Sequence, residues 1–139
     1  MRIAVQPLGR RGRALAGFAV LDVLWGVRLA TVDPAAVEFY TWLNTLSPLW
    51  WWSLPWFAVA AMCAYGAIHR RDRIAFMGAI AIKVLWGSLY LFAWLLGENV
   101  GDAWPAAAQW LAFAWCVWVM AGWMEPIERE GVAWTPPLP

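Results

Sequence analysis

Four apolar runs divide this chain, at about Ala14–Val32, Leu49–Ile68, Ile74–Leu96 and Trp104–Met124. Each has roughly the 20 residues that carry an α-helix across a hydrocarbon layer of about 30 Å. In lipid a backbone must satisfy its own N–H and C=O groups, and a single apolar run does so only as a helix. The chain is therefore expected to be all-α, an integral membrane four-helix bundle of one transmembrane domain, 1–139. Composition agrees with this class. Hydrophobic residues make up 63% and charged residues 14%, against about 25% charged in a typical soluble domain. Fourteen tryptophans exceed what a soluble core uses, and Trp suits a boundary where an apolar ring meets wet headgroups.

Breaks between the runs carry the expected punctuation. Asp33-Pro34 ends the first span, and Ser47-Pro48 precedes the second. His69-Arg70-Arg71-Asp72-Arg73 forms a tight polar turn, Gly97 to Asp102 separates the third and fourth spans, and Glu125-Pro126 stops the last. A short, Pro-rich tail, 125–139, follows. Pro55 either kinks the second span or marks its first turn. The stretch Ala35–Leu46 is amphipathic enough for a short interfacial helix, with an ordinary loop as the alternative.

Basic residues set the orientation. Arg10, Arg11 and Arg13 precede the first span, and Arg70, Arg71 and Arg73 lie in the second connection. The first and third connections carry Asp33, Glu38, Glu98 and Asp102 but no Lys or Arg. By the positive-inside rule both termini are cytoplasmic, and the location is the bacterial cytoplasmic (inner) membrane, crossed several times. The first span is expected to be retained: Asp22 and Arg28 interrupt it, and no small-residue cleavage site follows. On this topology Trp42, Trp50, Trp51, Trp52, Trp56, Trp94 and Trp104 fall toward the outer side and are expected to form an interface belt.

A repeat sharpens the picture. Leu21-Asp22-Val23-Leu24-Trp25-Gly26 recurs as Ile82-Lys83-Val84-Leu85-Trp86-Gly87, with the charge reversed. At an offset of 54 residues instead of 61, Trp50, Trp56, Ala58 and Ala60 align with Trp104, Trp110, Ala112 and Ala114. Two spans per unit make two tandem helical hairpins, a parallel pseudo-repeat about an axis along the membrane normal. Trp25, Gly26, Trp86 and Gly87 are then packing positions of that repeat. Asp22 and Lys83 stand about 12–14 Å from the cytoplasmic ends of two helices that run the same way, near mid-bilayer. An ionisable group at that depth is costly and marks a site. Pairing Asp22 with Lys83 offsets the cost, and the pair then serves either as a packing lock or as a titratable, ion-facing element. Further polar groups nearby are sparse: Ser88, Tyr90 and Gln109.

Several classes are unsupported. A net charge of +1 and the lack of a basic face give no nucleic-acid partner. Cys63 and Cys116 lie in apolar runs and read as buried hydrophobes, with a disulfide as the minor alternative. No Cys/His cluster suggests a metal, no phosphate loop or nucleophile–base pair suggests an enzyme, and no cofactor is implied. The expected partners are the lipid bilayer and either further copies of the chain or another membrane protein. Ala60/Ala64, Gly26/Ala30 and Ala75/Ala79 provide small helix faces for close packing.

The pattern Leu46-Ser47-Pro48-Leu49-Trp50 before a span, the basic turn His69-Arg70-Arg71 and the Trp86-Gly87 helix resemble small four-span membrane proteins of phages and prophages of GC-rich bacteria. That resemblance implies a holin-like, self-assembling protein that permeabilises the membrane. Two alternatives are carried with it. One is an accessory protein, either a subunit of a larger membrane complex or a superinfection-exclusion factor. The other is a small ion or proton conductor using Asp22 and Lys83.

Overall fold

The computed structural model describes residues 9–69, 72–97 and 103–122. The structure is helical, with no strand among the described residues: α1 (Arg10–Thr31), α2 (Glu38–Leu46), α3 (Ser53–His69), α4 (Asp72–Leu95) and α5 (Ala103–Ala121). Arg70, Arg71, most of the third connection and the tail 125–139 lie outside the described residues.

Three stretches are long and apolar enough to cross a membrane: Arg10–Thr31, Leu49–His69 and Asp72–Leu95. The protein is thus compatible with a small membrane protein. α5 has 19 residues and no Asp, Glu, Lys or Arg, and it is not among these three. The surface matches this reading. Leu24, Met77 and Trp115 are each at least 60% exposed, whereas the carboxylate and ammonium of Asp22 and Lys83 are enclosed. Apolar groups outside and charge inside is the order a bilayer selects and water does not.

Local chemistry explains the breaks. At the end of α1, Pro34 has no N–H to continue the ladder, and Asp33 takes the extended backbone that a following proline imposes. The Asp33 carboxylate accepts from the Ala35 N–H at 2.9 Å and opens a short 3-10 turn, Pro34–Ala36. The amphipathic stretch after it folds as a helix only over Glu38–Leu46, burying Phe39, Tyr40 and Leu43. Thr41 Oγ1 donates to the Pro34 carbonyl at 2.9 Å and fixes the angle of entry. A second 3-10 turn, Leu49–Trp52, leads into α3. Pro55 falls in the first turn of α3, where its missing N–H would have had no intrahelical acceptor. α4 ends at Gly97, whose φ of 69° is a left-handed conformation that favours glycine.

α1 packs along α3, α4 along α5, and α3 against α4. α1 meets α4 across the centre, and α1 and α5 are less closely packed than the other neighbouring pairs. α2 lies against one end of the bundle: Phe39 stacks on Tyr90 at 3.7 Å and meets Trp86 edge-on at 6.0 Å. The opposite end collects Arg10, Arg11, Arg13, His69 and Arg73. There Arg11 Nε pairs with Asp72 Oδ2 at 2.8 Å and joins the starts of α1 and α4.

Candidate functional site

Asp22 stands about 18 Å along α1 and Lys83 about 16 Å along α4, at ~1.5 Å of rise per residue. That shared depth lets them meet. Lys83 Nζ donates to Asp22 Oδ1, and the two side chains are buried at 0% and 1% exposure. The ammonium is also surrounded by rings, lying 5.8 Å from the centroid of Phe18, 5.3 Å from Trp56 and 5.5 Å from Phe113. Ring faces are electronegative, so this cage supplements the single carboxylate. Phe18 reaches the site because it sits one turn before Asp22 on the same face of α1. The sequence reading singled out neither Phe18 nor Phe113; the spacing Phe18, Asp22, Trp25 is the signal for the first of them.

Next to the pair lies a tryptophan core. Trp25 contacts Trp110 at 5.0 Å, and Trp56 contacts Trp86 at 5.5 Å. Trp25–Trp56 and Trp56–Trp110 close the cluster at 5.8 and 5.5 Å. This corrects part of the expected interface belt. Trp56 is 1% exposed and Trp52 is half-buried against Trp86 at 6.4 Å. Trp56 sits on the inward face of α3 and Trp52 closes the 3-10 turn before it, so both turn toward the core instead of the headgroups. Trp50, Trp51, Trp94 and Trp104 are exposed, and Trp42 is half-buried against Phe39. Trp115 and Trp118, 4.8 Å apart, are exposed toward the other end of α5 and had not been singled out.

The repeat-motif glycines each let a helix approach its neighbour. A Cβ on Gly26 would lie 2.9 Å from the Phe57 ring of α3, and one on Gly87 would lie 3.0 Å from Leu111 and 3.2 Å from the Ala107 carbonyl of α5. Cys63 is buried and its thiol lies 3.8 Å from the Ala75 carbonyl. Cys116, expected to be buried, is exposed on the apolar surface of α5, and both thiols are free. Arg28 is exposed. Its guanidinium lies 5.6 Å over Trp25 and its Nε donates to Tyr40 Oη at 3.4 Å.

One cavity lies beside the pair, and another lies at the arginine-rich end. A vestibule of about 710 Å³ opens at the arginine-rich end, lined by Arg11, Asp72, Phe76 and Trp118 among others. A second, of about 370 Å³, lies between α1 and α5 and is lined by Leu21, Asp22, Trp25, Tyr90, Gln109 and Trp110 among others. Phe18 touches a lining residue of each, Phe76 of the first at 6.4 Å and Phe113 of the second at 6.1 Å. Asp22 Oδ2 and the indole N–H groups of Trp25, Trp52, Trp56 and Trp86 are buried with no hydrogen-bond partner among the described residues. The arrangement can hold two opposite charges face to face and present a polar edge to a small space. Comparison with protein families, curated proteins and solved structures finds no match to this chain.

Proposed function

We propose that this chain is a small non-enzymatic protein of the bacterial cytoplasmic membrane that permeabilises it in the manner of a phage holin, and that the closed bundle is its resting form. The reading takes α5 as a fourth span, places both termini in the cytoplasm and treats α1–α3 and α4–α5 as two related hairpins. The paired approaches Gly26–Phe57 and Gly87–Leu111 support that relation, as do the contacts Trp25–Trp110 and Trp86–Trp56.

The observation that carries the proposal is the seam between α1 and α5. Three of the four neighbouring helix pairs are packed, and the fourth encloses a cavity beside Asp22. Separation along that seam leaves each hairpin intact. It turns Asp22 and Lys83 from the interior to a face that already carries Gln109. A lone charged side chain at the centre of a bilayer costs about 2.5–3.5 kcal/mol or more. The opened face is therefore driven to associate with other copies around water, which is a pore lining. A shallow apolar groove on the outside of α1 and α3, lined by Ala19, Val23, Ala60 and Ala64, suits contact between copies.

Membrane potential and dye entry during tightly controlled expression test the proposal. Wild type should accumulate silently and then collapse the potential abruptly. Asp22→Asn, which unlatches the hairpins, should collapse it earlier. Unchanged potential with the protein present in the membrane would move the assignment to an accessory protein, and a search for a stoichiometric partner would follow.

A second reading, an ion or proton conductor, draws on the cavity beside Asp22, on the vestibule at the arginine-rich end, and on the ring contacts of Phe18 with Phe76 and Phe113, which line one each. It requires a graded flux from the start of expression, abolished by Asp22→Asn in protein that remains folded.

A further inference from the structure

The cavity between α1 and α5 carries a polar deficit of definite composition. Asp22 is 1% exposed and uses Oδ1 for Lys83, which leaves Oδ2 as an acceptor without a donor. Trp25 and Trp56 line the same cavity, and their indole N–H groups are buried donors without an acceptor. The unmet set around this space is one acceptor and two donors. A hydroxyl group has one O–H to donate and two lone pairs to accept with, so it complements that set. The rest of the wall is mostly apolar or aromatic, formed by Leu21, Ala106, Trp110 and Phe113, with the Tyr90 phenol and the Gln109 carboxamide as its further polar members. Leu21 and Gln109 at its rim are exposed on the surface that faces lipid in the reading above. A volume of about 370 Å³ is at the small end of ligand pockets, which run from about 300 Å³.

We propose that this cavity binds the hydroxyl end of a small apolar alcohol or hydroxyl-bearing amphiphile that enters from the bilayer between α1 and α5. The hydroxyl donates to Asp22 Oδ2 and accepts from the Trp25 and Trp56 indoles, while the chain follows the aromatic wall outward. The occupant bridges the least-packed seam of the bundle. The assignment rests on the cavity and its unmet polar atoms alone, and it stands whether or not the protein permeabilises membranes.

Photolabelling of the purified full chain in lipid nanodiscs with a diazirine-bearing octanol tests this, with labelled peptides mapped by mass spectrometry. Label is expected on the segments around Leu21–Trp25 and Ala106–Trp110. Excess octanol should suppress it at least fivefold, and octane of matched chain length should not. Trp25→Phe keeps the ring but removes one donor and should weaken competition by octanol about fivefold. Ala106→Trp should fill the space and abolish the label without lowering the melting temperature. Equal competition by octane would overturn the proposal, because the hydroxyl would then play no part. So would label spread evenly over the outward-facing residues Leu24, Met77 and Trp115, an unchanged response in Trp25→Phe, or no label at all, which would leave water as the occupant.

Discussion

The seam between α3 and α4 and the seam between α1 and α5 occupy corresponding places in the bundle, yet one is filled and the other holds a cavity. Between α3 and α4, Trp56 and Trp86 meet edge to face at 5.5 Å, and Ala75 backs onto Cys63 at full burial. Between α1 and α5, Trp25 and Trp110 make a similar contact at 5.0 Å, but the space beside them stays open. Two physical differences account for this. Only two residues of sequence separate the end of α3 from the start of α4, which keeps those ends close, whereas α1 and α5 share no short connection. The charge reversal in the repeat is also a size reversal. Lys83 has four methylenes and spans the centre of the bundle; Asp22 has one and leaves volume at its own side. The difference teaches that exchanging Lys for Asp in a repeat changes packing as well as charge.

The largest test of this comparison breaks the pair that spans the two hairpins. Asp22→Asn or Lys83→Met alone should lower stability by about 3–5 kcal/mol, because each strands a polar partner in a dry interior. The double variant Asp22→Asn with Lys83→Met should recover most of that loss. Unfolding of the reconstituted protein, followed by tryptophan fluorescence, checks the cycle. Equal and additive losses would mean that the two side chains do not support one another.

Filling the two seams should give opposite signs. Ala75→Leu enters the packed seam, where a larger side chain has nowhere to go, and should cost about 1–3 kcal/mol. Ala106→Leu enters the cavity between α1 and α5 and should be neutral or stabilising by up to about 1 kcal/mol. Thermal melts of the two variants side by side decide the point. If both lose stability alike, the open seam is closed in the membrane.

The two glycine contacts differ on a finer scale. Gly87→Ala presses on a backbone carbonyl as well as on Leu111, and should cost about 1 kcal/mol or more. Gly26→Ala meets only the edge of the Phe57 ring, which can rotate, and the helix-propensity gain of about 1 kcal/mol over glycine offsets the contact. Smallest of all is Asp72→Asn at the arginine-rich end. The Arg11–Asp72 pair is about a quarter exposed, so its loss should change stability by less than about 1 kcal/mol and the effect should fade in high salt.

Much of this architecture is legible in the sequence because bilayer physics acts on single residues. A run of about 20 apolar residues admits few alternatives to a helix. Asp22 and Lys83 stand out because charge is rare at that depth, and their matched positions in the repeat point each to the other. What the sequence left hidden depends on direction around a helix. Trp56 resembles its neighbours Trp50, Trp51 and Trp52 in composition. Its place in the buried stripe Trp56, Val59, Cys63, Gly66 is what separates it from them, and that stripe has helical spacing. The boundaries of α2 were ambiguous because a nine-residue helix depends on tertiary burial of Phe39, Tyr40 and Leu43 more than on its own propensity. The cavity beside Asp22 had no signal in the residue pattern, since it arises from side-chain length across four helices.

The seam between α1 and α5 carries the functional account, and one measurement addresses it directly. Leu21→Cys and Ala106→Cys, placed on its two sides with Cys116 replaced by Ser, allow the seam to be closed with a reducible bifunctional thiol reagent. Membrane potential is then followed in cells that express the protein, before and after addition of a reductant. The account predicts that the linked protein holds the potential and that reduction restores abrupt collapse. Collapse at the wild-type time with the link intact, shown by gel shift, would contradict it.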